Sequence, residues 1–254
     1  MSVNNGAGLR PRLLPGPQTG PGSCGSFGVD GPSTPLRISL PCGTYDRGVY
    51  DGPFVRLPRP LPEAMQAEVI ALGARYGEPI IRAVALDDCA FDPVGDLDRF
   101  AEVCMVVRRP SGGLLLSTKT FYPDGAHRLP TGGIQAGEEI LAAVRRETQE
   151  ETGLDVELRR FLAAITYLDG PEGPPIFHTF AFLLDELGGT LGPLDLHEQI
   201  SEYIAVRPGE LPAVADRLGS IRVGGTPGPS WPAWGRFRAV VHRIVAEALS
   251  PEAR

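Results

Sequence analysis

The segment at residues 132–154 constrains the fold and the chemistry of this chain more than any other part of the sequence. Its middle has the pattern of an amphipathic helix. Gly137 is predicted to be the N-cap residue, and Glu138 and Glu139 follow in the first turn, where the positive end of the helix dipole favours acidic side chains. Gly153 is predicted to end the helix in the left-handed conformation. The segment therefore predicts one helix between two glycines.

This predicted helix has an apolar face and an acidic face, each with residues three and four apart. The apolar face, which we expect to be buried, consists of Leu141, Val144 and Thr148. The acidic face consists of Glu147, Glu150 and Glu151. Like charges at this spacing repel by roughly 0.2–0.5 kcal/mol per pair, which is small enough for an ordinary solvated face. Three convergent carboxylates are also the ligands that a hard divalent cation such as Mg²⁺ prefers, so both interpretations stand on the helix alone.

The spacing of the whole segment resembles the signature of the Nudix hydrolase family, G-x5-E-x7-R-E-U-x-E-E-x-G-U, in which U is a bulky aliphatic residue. The matching residues are Gly132, Glu138, Arg146, Glu147, Glu150, Glu151, Gly153 and Leu154. Seven fixed positions would coincide by chance in roughly one sequence per million of this length. The first U is Thr148 here, whose methyl group can be buried while its hydroxyl donates to a helix carbonyl.

The resemblance implies a role for each acidic residue of the segment. In this family the carboxylates hold divalent metal ions against a diphosphate, and water attacks one phosphorus. Glu150 and Glu151 would be the principal metal ligands. Glu147 would be a further ligand, or the group that orients or deprotonates the water. Glu138 would support the loop or the ligands of the metal.

The other residues of the motif have supporting roles in the resemblance. Arg146 would hydrogen-bond to neighbouring carboxylates or loop carbonyls and fix the glutamates; an ordinary surface pair with Glu150 is the alternative. Gly132 would give the tight turn that lets the backbone approach the site, and Gly153 would end the helix. The residue before Gly132 is Thr131, where the family often has a glycine whose carbonyl binds metal.

Many members of the family add an acidic residue from a loop beyond the motif. Glu198 and Glu202 are the candidates for this catalytic role, and each has the alternative of a solvated surface acid. Glu198 is better placed, because its loop precedes a strand that should lie beside the helix of the motif. The identity of the catalytic base, Glu147 or one of these two, stays open, and no substrate-binding residue is assigned.

Composition restricts the partners. The net charge of −7 and a pI near 5.2 argue against a general surface for nucleic acid or for anionic membranes, but they allow a small phosphorylated ligand. No apolar run approaches the roughly 20 residues of a membrane span, and the N-terminus lacks the pattern of a signal peptide. Cysteines without metal-ligand spacing predict reduced thiols in a cytoplasmic protein; they are Cys24, Cys42, Cys89 and Cys104.

The order of the predicted elements indicates an α/β fold. Helices are predicted at residues 61–76, 210–218 and 231–249, besides the helix of the motif. Strands are predicted at residues 79–86, 101–108, 114–120, 156–167, 177–184 and 200–206. Strands before and after a central helix favour a mixed β-sheet with helices on both faces. This order is similar to the Nudix fold, an α/β/α sandwich.

Three regions follow from this pattern. Residues 1–60 are rich in Gly and Pro and are predicted to be a largely disordered or arm-like extension. Residues 61–218 are predicted to form the Nudix domain. Residues 219–254 are predicted to be a linker and a C-terminal amphipathic helix whose apolar face packs on the same domain; a homodimer interface is the competing use.

The resemblance implies a metal-dependent pyrophosphohydrolase with Mg²⁺ or Mn²⁺ as cofactor. We expect its substrate to be a small-molecule nucleoside diphosphate linked to another moiety, such as ADP-ribose or a nucleotide sugar, and we expect no nucleic acid or membrane partner. A non-catalytic Nudix-like module that senses a nucleotide is the alternative. An isomerase on the same scaffold would need a catalytic Cys–Glu pair, which the sequence does not place.

Overall fold

The structure is a computed structural model, and it describes residues 58–86, 99–222 and 231–250. The helices in these ranges are α1 (Glu63–Tyr76), α2 (Ile140–Thr152), α3 (Leu211–Gly219) and α4 (Trp231–Leu249). The strands are β1 (Ile80–Leu86), β2 (Ala101–Arg108), β3 (Leu114–Lys119), β4 (Thr131–Gly133), β5 (Leu154–Asp169), β6 (Pro175–Gly189) and β7 (Ile200–Val206). The predicted elements are therefore present, and the short strand β4 is an addition to them.

The strands form one mixed sheet in the order β1-β5-β6-β2-β3-β7, and β4 pairs with β2. β1 runs parallel to β5 and β2 runs parallel to β6. The pairs β2–β3, β3–β7, β5–β6 and β2–β4 are antiparallel. The mixed sheet predicted from the order of elements is confirmed.

Central strand β2 shows why helices cover both faces of the sheet. Its side chains are buried from Ala101 to Val107, and successive side chains of a strand point to opposite faces. Val103 and Met105 belong to the core cluster that contains α1 and α2, whereas Cys104 and Val106 belong to the cluster that contains α3 and α4. The protein is thus an α/β/α sandwich, as predicted, and the thiol of Cys104 is a core group.

The helix of the motif begins later than predicted. Gly137 is not the N-cap residue: its φ of +76° is the left-handed conformation, which an extended N-cap residue does not adopt. The N-cap residue is Glu139, with φ −70° and ψ 146°. Residues 134–139 remain a loop because Glu138 binds the Gln135 amide and the Arg146 guanidinium. At the other end, Gly153 is the predicted left-handed cap, with φ +63°.

The two predicted faces of α2 are present with one difference. Val144 and Thr148 are buried, and the Thr148 hydroxyl donates to the Val144 carbonyl at 2.6 Å, as expected for threonine in a helix. Leu141 is only partly buried, since it lies at the open edge between α1 and β5. The first helix also begins later than predicted, with Pro62 as its N-cap residue instead of inside its first turn.

The terminal helix α4 has the predicted bounds, and its apolar face lies against the sheet. The buried residues of this face include Trp234, Phe237, Val241, Ile244 and Ala248. The proposed extension at residues 1–60 falls almost wholly outside the described residues, so its arm-like character and the domain bounds stay predictions. Among the helices of the described ranges, none combines the length and the hydropathy needed to cross a membrane.

Candidate active site

Arg146 connects the loop of the motif to the helix. Its guanidinium donates to both carboxylate oxygens of Glu138 at 2.8 Å and to the Gly133 carbonyl at 2.9 Å. It also donates to Glu147 at 2.8 Å and to Glu150 at 2.9 Å. The predicted contacts of Arg146 with carboxylates and a loop carbonyl are therefore present together. Hydrogen bonds from Arg146 hold the pKa of Glu138 below its usual value.

Three carboxylates converge beside this network, and we call them the carboxylate cluster: Glu147, Glu151 and Glu198. One oxygen from each lies within 4.8 Å of the others. Glu147 and Glu151 come from successive turns of α2, and Glu198 comes from a 3₁₀ turn just before β7. The Tyr203 hydroxyl of β7 donates to the Glu151 carbonyl at 2.5 Å, which holds this strand against the helix. Glu198 reaches the cluster by the route that its place in the sequence predicted.

Two cations border the carboxylate cluster, and sequence reasoning missed both. The Lys119 ammonium lies 2.6 Å from Glu198 and 3.5 Å from Glu151. Buried Arg128 lies 3.8 Å from Glu151 and donates to the Tyr122 hydroxyl at 3.1 Å. The available signal was a charged residue at the end of a buried strand for Lys119, and a charged residue shortly before the motif for Arg128. Neither pattern points to a cluster that forms only in three dimensions.

The ionisation of the cluster depends on burial. Desolvation raises the pKa of Glu147, and it raises the pKa of Glu151 to about 7. Burial alone would also raise the pKa of Glu198, but the hydrogen bond and the charge of Lys119 outweigh it, and the pKa of Glu198 is lowered. One oxygen of Glu151 is buried with no hydrogen-bond partner among the described residues. The cluster thus holds carboxylates that a cation would stabilise.

Glycines shape the walls around these carboxylates. A Cβ atom added at Gly132 would overlap the carboxylate of Glu147, so only glycine leaves room for that side chain. A Cβ atom at Gly153 would meet the carbonyl oxygens of Thr190 and Gly192 at 2.7 and 2.8 Å. At both motif glycines a side chain would therefore clash with a neighbouring group.

Other candidates lie outside the cluster. The Glu150 side chain is 37% exposed and binds Arg146, so it does not join the three convergent carboxylates. Glu202 points instead to His127, whose Nε2 lies 2.8 Å from its carboxylate. His197 is exposed. Among the acids considered beyond the motif, the structure brings Glu198 and not Glu202 to the helix.

This combination of an α/β/α sandwich and a glutamate-bearing helix defines the class of the protein. The family model of the NUDIX domain matches residues 98–222, from just before β2 to just after α3. The chain therefore contains a NUDIX domain and belongs to the Nudix family. Helices α1 and α4 and strand β1 lie outside the matched residues.

Curated relatives share part of the sequence. The NAD-capped RNA hydrolase NudC of Photobacterium profundum is 30% identical over 115 residues, which cover 45% of this chain and 41% of the relative. The ADP-ribose pyrophosphatase of Methanocaldococcus jannaschii is 32% identical over 88 residues, which cover 34% of this chain and 50% of the relative. The chain thus spans half or less of the length of these relatives.

Solved structures in the comparison are more distant. An ADP-ribose pyrophosphatase from Streptococcus suis 89-1591 has a TM-score of 0.35 and 18% identity, with 59% of this chain and 92% of that chain covered. A NUDIX hydrolase from Nitrosomonas europaea has a TM-score of 0.37 and 21% identity, with 47% of this chain and 79% of that chain covered.

Proposed function

We propose that this protein is a metal-dependent pyrophosphohydrolase that cleaves the diphosphate of a nucleoside diphosphate linked to another moiety. The observation that carries the proposal is the convergence of Glu147, Glu151 and Glu198 within 4.8 Å beside Lys119 and Arg128. The carboxylates would bind a metal ion and the two cations would bind a polyanion, so the site suits a metal ion and a polyanion bound together. The names of the relatives agree, since NAD and ADP-ribose both contain a diphosphate that joins adenosine to another group.

The donor set suits a hard divalent cation. All three groups of the cluster offer oxygen, which Mg²⁺ and Mn²⁺ prefer. A bound cation would also satisfy the buried Glu151 oxygen that has no hydrogen-bond partner among the described residues. We assign Glu151 as a metal ligand on this basis, and Glu147 and Glu198 each as a further ligand or as the catalytic base. Glu150 keeps its sequence-based assignment as a ligand only as a prediction, because its side chain lies on Arg146.

A divalent cation held there would neutralise the diphosphate oxygens and lower the pKa of the attacking water. The protein's own groups do the remaining work. Arg146 keeps Glu147 and Glu138 in fixed positions through its paired hydrogen bonds. Glu147 or Glu198 accepts the proton from water. Both belong to the carboxylate cluster, beside which the water would attack the substrate phosphorus. We assign Arg146 a positioning role.

Measuring the turnover of a panel of compounds would identify the substrate within this class. The panel contains ADP-ribose, NAD, nucleotide sugars, dinucleoside polyphosphates and nucleoside triphosphates, each with Mg²⁺, with Mn²⁺ and with EDTA. An RNA that carries NAD at its 5′ end is included, because the expectation of no nucleic-acid partner stays a prediction. We expect turnover of at least one diphosphate that EDTA abolishes.

The matched variants are Glu151→Gln and Glu139→Gln. Glu151→Gln removes one cluster charge and should lower kcat by about 100-fold or more, since a metal ligand is lost. Glu139→Gln removes a charge from the same segment, where the exposed side chain makes no cap hydrogen bond, and should leave turnover unchanged. Equal activity of Glu151→Gln and wild type would refute the proposal. Tight nucleotide binding without turnover of any panel member would instead favour a sensing module.

A further inference from the structure

Lys119 is the only lysine in the sequence, although lysine and arginine together number 24. It is the last residue of β3, and its side chain is 14% exposed. Its ammonium lies 2.6 Å from Glu198 and 3.5 Å from Glu151. All the other residues in that count are arginines. The one lysine of the sequence therefore lies beside the carboxylate cluster.

Lysine and arginine differ in what they can do at such a place. A lysine ammonium is a compact point charge on a flexible stem, whereas a guanidinium is a planar fork that needs fixed partners. The backbone at the base of the Lys119 stem is held, because the Thr120 amide donates to the Gln199 carbonyl at 2.9 Å. Within the described part of the chain, the ammonium itself is bound only by carboxylates. It can change partners by rotating its stem while the strand stays in place.

The neighbouring Arg128 does not have this freedom. Its side chain is 2% exposed, and its guanidinium donates to the Tyr122 hydroxyl at 3.1 Å and to the Leu129 carbonyl at 2.9 Å. The Tyr122 ring also lies under the guanidinium, 5.5 Å from its centroid. Arg128 is thus the fixed cation of the site and Lys119 the movable one.

We propose that Lys119 is a phosphate-binding residue that exchanges its carboxylate partners for a diphosphate oxygen of the substrate. This inference rests on the function proposed above, because a divalent cation at the cluster would compete for the oxygens of Glu198 and Glu151 that Lys119 now binds. Two cations that share one set of carboxylates repel each other at short range. The ammonium then has a diphosphate oxyanion as its best remaining partner, and hydrogen bonds between charged groups are the strong ones.

The exchange predicts effects of opposite sign in the variant Lys119→Met. Without diphosphate, the variant should bind Mn²⁺ about tenfold more tightly than wild type, because the competing ammonium is gone. With Mn²⁺ present, it should bind the non-hydrolysable α,β-methylene-ADP about tenfold more weakly, because a charged hydrogen bond is lost. Arg145→Met is the matched control: it removes the same charge from an exposed position on α2, and both affinities should stay unchanged. Isothermal titration calorimetry measures each affinity.

Lysine labelling gives a second measurement that needs no variant. An amine-selective acylating reagent can modify only Lys119 and the α-amino group, and peptide mass spectrometry separates the two. We expect Mn²⁺ to increase the rate of Lys119 labelling by releasing the ammonium from its carboxylates. We expect subsequent addition of α,β-methylene-ADP to reduce that rate. The α-amino group is the internal control, and its labelling should not change.

The possible results separate this inference from the proposed function. If the wild-type protein binds no Mn²⁺, the proposed function fails and the role of Lys119 fails with it. A second result is that Mn²⁺ and α,β-methylene-ADP both bind, neither changes the rate of Lys119 labelling, and Lys119→Met has the affinities of wild type. The proposed function then stands and this inference is overturned. Opposite shifts in the two affinities, with labelling that rises and then falls, support it.

Discussion

The carboxylate of Glu68 accepts a hydrogen bond from the Ile140 amide at 2.9 Å. Its other oxygen accepts from the Leu141 amide at 3.2 Å. These amides begin α2, whose own N-cap residue makes no side-chain cap hydrogen bond. The first amides of a helix have no partner inside the helix, and a negative charge there also interacts favourably with the helix dipole. The helix that carries the cluster is therefore capped from α1, outside the matched NUDIX residues.

Replacing Glu68 should affect both stability and metal affinity. Glu68→Ala leaves two amides without their acceptor, and we expect the free energy of unfolding to fall by about 1 kcal/mol. We also expect weaker Mn²⁺ binding, because the loop and the first turn of α2 position Arg146 and, through it, Glu147. Urea denaturation and calorimetry measure the two effects. Glu172→Ala, at an exposed position of the loop between β5 and β6, is the control, and equal values for the two variants would contradict the prediction.

Gly132 should tolerate no side chain. In Gly132→Ala the new methyl group would occupy the position of the Glu147 carboxylate, so that carboxylate must leave the cluster. We expect at least a tenfold weaker Mn²⁺ affinity, as for loss of a ligand or of its support. Gly188→Ala is the control, because a Cβ atom there meets no atom of the described residues within 4 Å. A Gly132→Ala protein that binds Mn²⁺ like wild type would show that Glu147 is not a ligand.

How much of the site the sequence predicts depends on how far apart in the chain the contacting residues are. Helical periodicity and the motif spacing were enough to place Glu147 and Glu151 on one helix, and the position of Glu198 before a strand predicted its approach to that helix. Periodicity could not decide that Glu150, on the same face, would bind Arg146 and stay outside the cluster. That outcome depends on the hydrogen-bond partner that each carboxylate has in the folded protein.

Contacts between distant segments were beyond any local pattern. The cap from Glu68 joins residues 72 positions apart, and Lys119 meets Glu198 over 79 positions. A single glutamate on an amphipathic helix has the sequence pattern of a solvated residue, and only the packing of α1 against α2 gives it a function. The late start of α2 has the same origin, since the hydrogen bonds of Glu138 with Arg146 keep the preceding residues in a loop.

A buried histidine predicts how stability depends on pH. His242 lies on α4 and is 0% exposed; its Nε2 accepts from the Leu129 amide at 2.9 Å, and its Nδ1 pairs with the Arg238 carbonyl. Burial, reinforced by nearby Arg128 and Arg238, lowers the pKa of His242 to about 4. The folded protein thus keeps this imidazole neutral in a pH range where the unfolded chain protonates it.

The sign of the effect follows from the protons bound. Between the unfolded pKa of about 6.5 and the folded value, the unfolded state binds more protons, so the free energy of unfolding falls as the pH is lowered. His242 should contribute a loss of about 2 kcal/mol between pH 7 and pH 5. Urea denaturation of wild type and His242→Gln at both pH values isolates this contribution from that of other groups. Identical pH dependence in the two proteins would contradict it.

The buried ion pair between Glu102 and Arg238 predicts a large and non-additive loss of stability. One guanidinium nitrogen of Arg238, on α4, donates to both oxygens of Glu102, on β2, at 2.7 and 2.8 Å, and the Thr179 hydroxyl adds a bond at 3.0 Å. Burial alone would raise the pKa of Glu102, but the charge and hydrogen bonds of Arg238 outweigh it and lower that pKa. The carboxylate therefore stays charged in the core because its partner is present.

Removal of one partner should cost more than removal of both. Arg238→Met leaves a buried carboxylate without its cation, and we expect a loss of about 3–5 kcal/mol. In the double variant Glu102→Gln with Arg238→Met, the amide can still accept from Thr179 and no charge is buried, so stability should recover by a large part of that loss. Urea denaturation of the single and double variants completes the cycle. If the two losses simply add, the charges of Glu102 and Arg238 are not coupled, and the prediction is contradicted.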